Sequence, residues 1–225
     1  MKLSQRARIC REPRLFLAIF AFFLVGAPFL HGCASKQKVV SLAAPTISYK
    51  ASDYKSVLRD WTRSRRLNTL DEMDNVLTVT STYYSAEFRA AYLAKYQDDY
   101  HLTRAESEAM RSEYEQLGER QHEFYVALFA QNHKYGLLDN ETSAWQVHLI
   151  DDQGRAFKPT RIEYIRRPGA QELSYFPYTN SFRSVFRVIF DKSGPEAVQL
   201  PARAKWFGLR FSGPQGTTIV RWDLG

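Results

Sequence analysis

The sequence predicts an α+β fold: an antiparallel β-sandwich with an inserted two-helix hairpin, preceded by a signal peptide and a flexible tether. Three observations lead there. The second half of the chain carries short runs of β-branched and aromatic residues, separated by turn-forming stretches such as "RRPG", "DKSGP" and "SGPQG". Ahead of them, residues 85 to 117 switch to a helical period. The 225 residues are 44% hydrophobic and 14% aromatic, enough for one domain with a real core, which excludes wholesale disorder. The expected division is 1–32 signal peptide, 33–50 tether and 51–225 a single α+β domain.

The N-terminus has the layout of an export signal. Lys2, Arg6, Arg8, Arg11 and Arg14 precede sixteen uncharged residues, "LFLAIFAFFLVGAPFL", and the chain then turns small and polar at "HGCASK". As a helix those sixteen would reach only about 24 Å, short of the roughly 30 Å hydrocarbon core. Pro28 shortens the segment further, so a cleaved signal is expected rather than a permanent span. Removing residues 1–32 leaves 26 basic and 23 acidic residues, a net +3 in place of +7. The basic character belongs largely to the signal, and nucleic acid is not an expected partner.

At the end of this segment "LHGC", Leu30 to Cys33, resembles the lipobox of bacterial lipoproteins. The resemblance implies cleavage after Gly32 and a diacylglyceryl group on the Cys33 thiol. With Ala34 following, it implies sorting to the outer membrane. His31 departs from the small residue usual at that place. Cys10 lies in the segment to be removed, so the exported domain would hold no other thiol for a disulfide, a metal or a nucleophile. Two or more acyl chains, at about 0.8 kcal/mol per buried methylene, make such an anchor stable.

Residues 34–50 mix Ser, Lys, Ala and Pro without a period and read as a tether averaging about 22 Å end to end. Tyr54, Val57, Leu58 and Trp61 then recur at helical spacing before the basic stretch "TRSRRLN". Val76 to Tyr84 alternates as a strand, and Ser85 caps the helix that follows. In that helix Tyr84, Phe88, Tyr92, Tyr96 and Tyr100 place a ring at every fourth position. From Phe88 to Tyr100 the rings stay within an arc of about 120°, with Ala90, Ala94 and Gln97 opposite. Such a stripe is read as core packing, since a ligand platform would set exposed rings beside polar partners. Thr103 and Glu106 form a capping box for a second, surface helix expected to end before Gly118.

"HEFYVALFAQN" is apolar on both faces and reads as a central strand. "WQVHLIDDQGRAF" reads as a hairpin with Asp151 to Gly154 in the turn. Further strands are expected at 162–165, 182–190, 206–211 and 218–224.

Recognisable catalytic motifs are absent, and no cofactor or metal is expected: His101, His122, His133 and His148 show no ligand spacing. Two arginine groups could bind anionic material: Arg59, Arg63, Arg65 and Arg66 around Trp61, and Arg161, Arg166 and Arg167 beside Tyr164. Each also fits a solvated face balanced by Asp60 or Glu163. The expectation is a lipid-anchored, non-catalytic envelope protein, a structural or protein–protein interaction component whose partners are the membrane and an envelope protein. Two alternatives stay open: a binding module for anionic envelope glycan or lipid through Arg63, Arg65 and Arg66, and a hydrolase with a site near His148 and Asp151.

Overall fold

Strand periodicity sorts the apolar residues onto two facing sheets. The computed structural model describes residues 37–68, 75–132, 135–140, 142–201 and 203–225; the lipobox residues Leu30, Gly32 and Cys33, and His133, lie outside the described residues. Within them the chain forms helix α1 (Tyr54–Trp61), strands β1 (Thr62–Asn68) and β2 (Asn75–Tyr83), and helices α2 (Ala86–Tyr100) and α3 (Arg104–Arg120). There follow β3 (Gln121–Ala130), β4 (Gln146–Asp151), β5 (Ala156–Phe157), β6 (Arg161–Tyr164), helix α4 (Ala170–Tyr175), β7 (Ser184–Asp191), β8 (Trp206–Gly213) and β9 (Gly216–Asp223). One sheet has the order β1-β2-β3-β7-β6 and the other β5-β4-β8-β9. All neighbours are antiparallel.

The register explains the core. Val79, Tyr83, Phe124, Val126 and Val188 fall on one face of the first sheet, and Leu149, Phe207, Leu209, Val220 and Trp222 on one face of the second. Every one of them is buried, and the layers meet through rings: Tyr83 lies 5.0 Å edge-on from Phe207, which stacks on Trp222. On one side the edge strands β1 and β9 lie against each other, and Trp222 Nε1 donates to the Trp61 carbonyl at 2.9 Å. β3, expected to be central, is the middle strand of its sheet, with eight of its ten residues buried.

The outer face of the first sheet is covered by α2, α4 and the chain after α4. Tyr125 stacks on Phe176 at 3.9 Å, and Phe88 and Tyr84 meet Phe176 from the helix side. The ring stripe of α2 is therefore core where expected: Phe88 and Tyr92 are buried, and both pack on Tyr54 of α1. The stripe runs out toward solvent at its far end, where Tyr96 is half-buried and Tyr100 is 51% exposed.

Three details differ from the expectation. The basic stretch "TRSRRLN" is strand β1, an edge strand whose polar residues need bury only one flank. Helix α3 continues through Gly118 to Arg120 because the chain passes directly into β3 at Gln121, which is already extended (φ −149°, ψ 152°), so no left-handed glycine cap is needed. Residues after "RRPG" form the short helix α4, where the Glu172 side chain accepts from the Gly169 amide at 2.8 Å.

The predicted caps are in place. Ser85 Oγ accepts from the Phe88 amide, and Thr103 and Glu106 make the reciprocal capping-box bonds. Residues 37–50 carry no helix or strand, as their composition predicts. From Lys38 on they are part of the domain surface: Arg63 donates to the Lys38 carbonyl, Val40 bridges Leu224, and Tyr49 Oη donates to Glu87 at 2.8 Å.

Candidate functional site

Inserting the α2–α3 hairpin between two adjacent strands has a geometric consequence. The helices leave the sheet at the end of β2 and return at the start of β3, so they frame a space beside the end of the sandwich. There they enclose a cleft of about 890 Å³, within the size range of small-molecule sites. Its walls are the segment 42–49, the alanine side of α2, one side of α3 and the connection from Lys192 to Leu200.

The floor is polar and closely interlocked. Tyr83, the last residue of β2, shares a hydrogen bond of 2.8 Å with His122 Nδ1 at the start of β3. Burial pushes the His122 ring down to about 3; the neighbouring Lys192 cation adds to this, and a hydrogen bond to the Val198 backbone opposes it. His122 is therefore neutral across the ordinary pH range. Arg89, on the first turn of α2, donates Nη2 to Glu123 at 2.8 Å and Nε to the Tyr84 carbonyl, and its guanidinium lies over the Tyr84 ring. Both members of this ion pair are buried.

Lys192 follows β7, and its Nζ donates to the Gly118 carbonyl of α3. Burial lowers the pKa of this ammonium and the Arg89 charge lowers it further, partly offset by Glu119. Among the described residues no carboxylate comes within ion-pair distance of it. Two cations, Arg89 and Lys192, thus line the sheet end of the cleft; among the described residues Glu123 is the one carboxylate in ion-pair contact with either, and Glu119 also lines the cleft.

Above this floor the character changes. Ala90, Leu93 and Ala94 of α2, with Leu42, Ile47 and Leu200, give the cleft an apolar lining, interspersed with the polar side chains of Ser48, Tyr114 and Gln199. Gln97 of α2 and Arg111 of α3 line the cleft farther toward the hairpin tip, and Glu115 lines it near Tyr114. Tyr49 closes one side; burial and its bond to Glu87 raise its phenol to about 12, which keeps it a hydrogen-bond donor.

The residues singled out from sequence lie elsewhere. Arg63 is only 5% exposed and gives hydrogen bonds to the carbonyls of Lys38, Asp60 and Thr62, so it fastens the incoming chain to α1 and β1. Arg65 and Arg66 are exposed on β1 and, as consecutive strand residues, point to opposite faces. The three do not form one patch. Arg161 pairs with Glu163 at 2.6 Å on the surface.

His148 and Asp151 are not brought together, because three residues of strand place them on opposite faces of β4. Asp151 is fully buried, accepts from the Gln153 and Arg155 amides, and binds the Arg155 guanidinium at 2.7 Å. It builds the β4–β5 turn. Asp152 accepts from the Lys205 amide. No group of three or more His, Cys, Asp or Glu among the described residues is placed to hold a metal ion, and no described helix is long and apolar enough to cross a membrane.

Sequence reasoning missed the cleft because it is assembled from four separated segments. One signal was present: Ala86, Ala90 and Ala94 recur every fourth residue opposite the rings of α2, and a row of small residues beside a neighbouring element leaves room. Comparison with protein-family models, with curated proteins and with solved structures finds no match to this chain.

Proposed function

We propose that this protein is a lipid-anchored component of a bacterial cell envelope whose domain is a non-catalytic binding module for anionic envelope lipid or glycan. The anchor is Cys33, attachment is to the outer membrane rather than the inner, and the domain faces an extracytoplasmic compartment. The observation that carries the binding role is the cleft of about 890 Å³ lined by Lys192 beside the Arg89–Glu123 pair. Retention rather than turnover is supported by the floor, where burial keeps His122 neutral and bonded to Tyr83, and Arg89 and Glu123 satisfy each other. Anchoring follows from the export-signal layout and the lipobox resemblance, which place the lipid only a few residues before the segment that walls the cleft.

Mass spectrometry of the native product tests both halves. The mature chain should begin at a lipid-modified Cys33, and solvent extraction of the natively isolated protein should release a near-stoichiometric anionic lipid or oligosaccharide. A chain that begins at Met1, or a bare Cys33, removes the anchor. Failure to retain anything from an envelope extract removes the binding module.

A second reading, a structural or protein–protein interaction component, is favoured by apolar side chains exposed on the other side of α2. Tyr100 stacks on Tyr96, which meets Tyr175 of α4, and α4 also exposes Leu173. A stoichiometric protein partner lost on Tyr100→Ser and Leu173→Ser would support it.

A further inference from the structure

Building on the binding-module reading, we infer that the cleft takes a single-chain amphiphile with an anionic head, the head at Lys192 beside the Arg89–Glu123 pair and the alkyl chain along the alanine row of α2. Three features of the cleft carry this.

One cation at its sheet end has no carboxylate within ion-pair distance among the described residues. Lys192 and Arg89 sit at the sheet end, and Lys192 faces a carbonyl rather than a carboxylate. An ammonium that is half-buried beside a guanidinium is stabilised by whatever anion reaches it, and hydrogen bonds between charged groups are the strong ones. Burial and the Arg89 charge both disfavour the charged form of Lys192, the condition that an incoming anion relieves.

Next to the cations the wall is methyl-rich. From Arg89 to Gln97 the helix rises by about 12 Å, and Ala90, Leu93 and Ala94 line the cleft over that length. A glycan needs hydrogen-bonding groups along its whole length, and these alanine and leucine side chains offer it none. An alkyl chain needs only the removal of its surface from water.

The row is also continuous: alanines recur at four-residue spacing along α2, and the irregular segment 42–49 forms another wall of the cleft. That geometry suits one chain lying parallel to the helix axis. Gln97 and Arg111, both exposed and farther along their helices from Arg89 and Gly118, then mark where the chain terminus emerges.

Titration calorimetry on the full chain carrying Cys33→Ser, which takes no lipid of its own, provides the test. The probes are lauric acid, dodecyl phosphate, methyl laurate and dodecyltrimethylammonium. At least one of the two anionic probes should bind, and at least tenfold more tightly than the ester and the cation. Preference between carboxylate and phosphate identifies the source of the head, a free fatty acid or a phosphate-bearing lipid.

Lys192→Gln should weaken the anionic probe about tenfold and leave the ester unchanged, and Ala94→Trp should abolish binding of all probes. Equal affinity for acid and ester, no binding of either anion, or an unchanged affinity in Lys192→Gln overturns the inference. The acid–ester comparison uses the unaltered cleft, so it decides the matter even if a variant misfolds. If an envelope extract yields a bound glycan while every alkyl probe fails, this inference falls and the binding-module reading stands. If nothing binds from either source, both fall.

Discussion

Glu123 and Arg89 meet beneath the cleft with side chains only 7% and 5% exposed, so each charge depends on the other for its solvation. Removing one partner of a buried pair leaves an uncompensated charge and costs about 3 to 5 kcal/mol, whereas replacing both with apolar groups can be close to neutral. Glu123→Leu should therefore lower the urea unfolding free energy by that amount, and adding Arg89→Met should restore much of it. Equal losses in the single and double variants would show that the two residues act separately. His122 makes a second residue-level prediction. Its folded-state value of about 3 lies below the ordinary 6.5, so between those values the unfolded chain binds more protons than the folded one. Stability is fully present above pH 6.5 and is lost as pH falls toward 3. The loss approaches about 1.4 kcal/mol per pH unit below 6.5. Unfolding curves at pH 7 and pH 5 should differ accordingly, and His122→Phe should flatten the dependence in that window. A wild-type protein equally stable at both values would contradict the buried, neutral ring.

At the scale of the element, α2 is two helices in one. Phe88 and Tyr92 pack against α1, α4 and the sheet, while Tyr100 at the end of the same stripe is about half exposed. Phe88→Ala should cost about 3 to 5 kcal/mol and Tyr100→Ala less than about 0.5 kcal/mol, measured as shifts in the denaturation midpoint. Similar losses at both positions would mean that Tyr100 is covered by something further. The burial of that stripe was legible because the spacing of the rings matches one helix face. β3 and the β4–β5 hairpin were legible for the same reason, each carrying its own period or turn residues. What was not legible has particular causes. β1 shows no strand pattern in the sequence because an edge strand tolerates Arg65 and Arg66 in solvent. Helix α4 is six residues long, too short to show a period. The arginine cluster was read as a surface because sequence spacing does not show that Arg63 turns inward onto three carbonyls. The cleft itself is a relation between residues such as Leu42, Ala90 and Lys192 that only the tertiary fold brings together.

At the scale of the whole molecule, a sandwich closed by a strand-paired core carries a wall with almost no backbone hydrogen bonding. The segment 42–49 is bounded by the Val40–Leu224 bridge on one side and the Tyr49–Glu87 bond on the other. Between them the amides of Ala44, Thr46, Ile47 and Ser48 donate no hydrogen bond among the described residues, and Ile47 is 65% exposed. Exchange of a backbone amide requires only the opening that frees it, so these amides need no part of the sandwich to unfold. β3, bonded on both sides to β2 and β7, can exchange only when the sheet opens. Native-state hydrogen exchange should therefore show residues 44–48 exchanging close to the rate of an unstructured peptide while the β3 amides are protected to near the global unfolding free energy. Tyr49→Phe, which removes one fastening, should extend the fast region toward Lys50 without changing the protection of β3. The physical content of the contrast is an entry route: a ligand could reach the floor of the cleft by displacement of this segment alone. Protection of residues 44–48 comparable to that of β3 would show instead that the segment is an integral layer of the fold, and that any ligand must enter past Gln97 and Arg111 at the hairpin end.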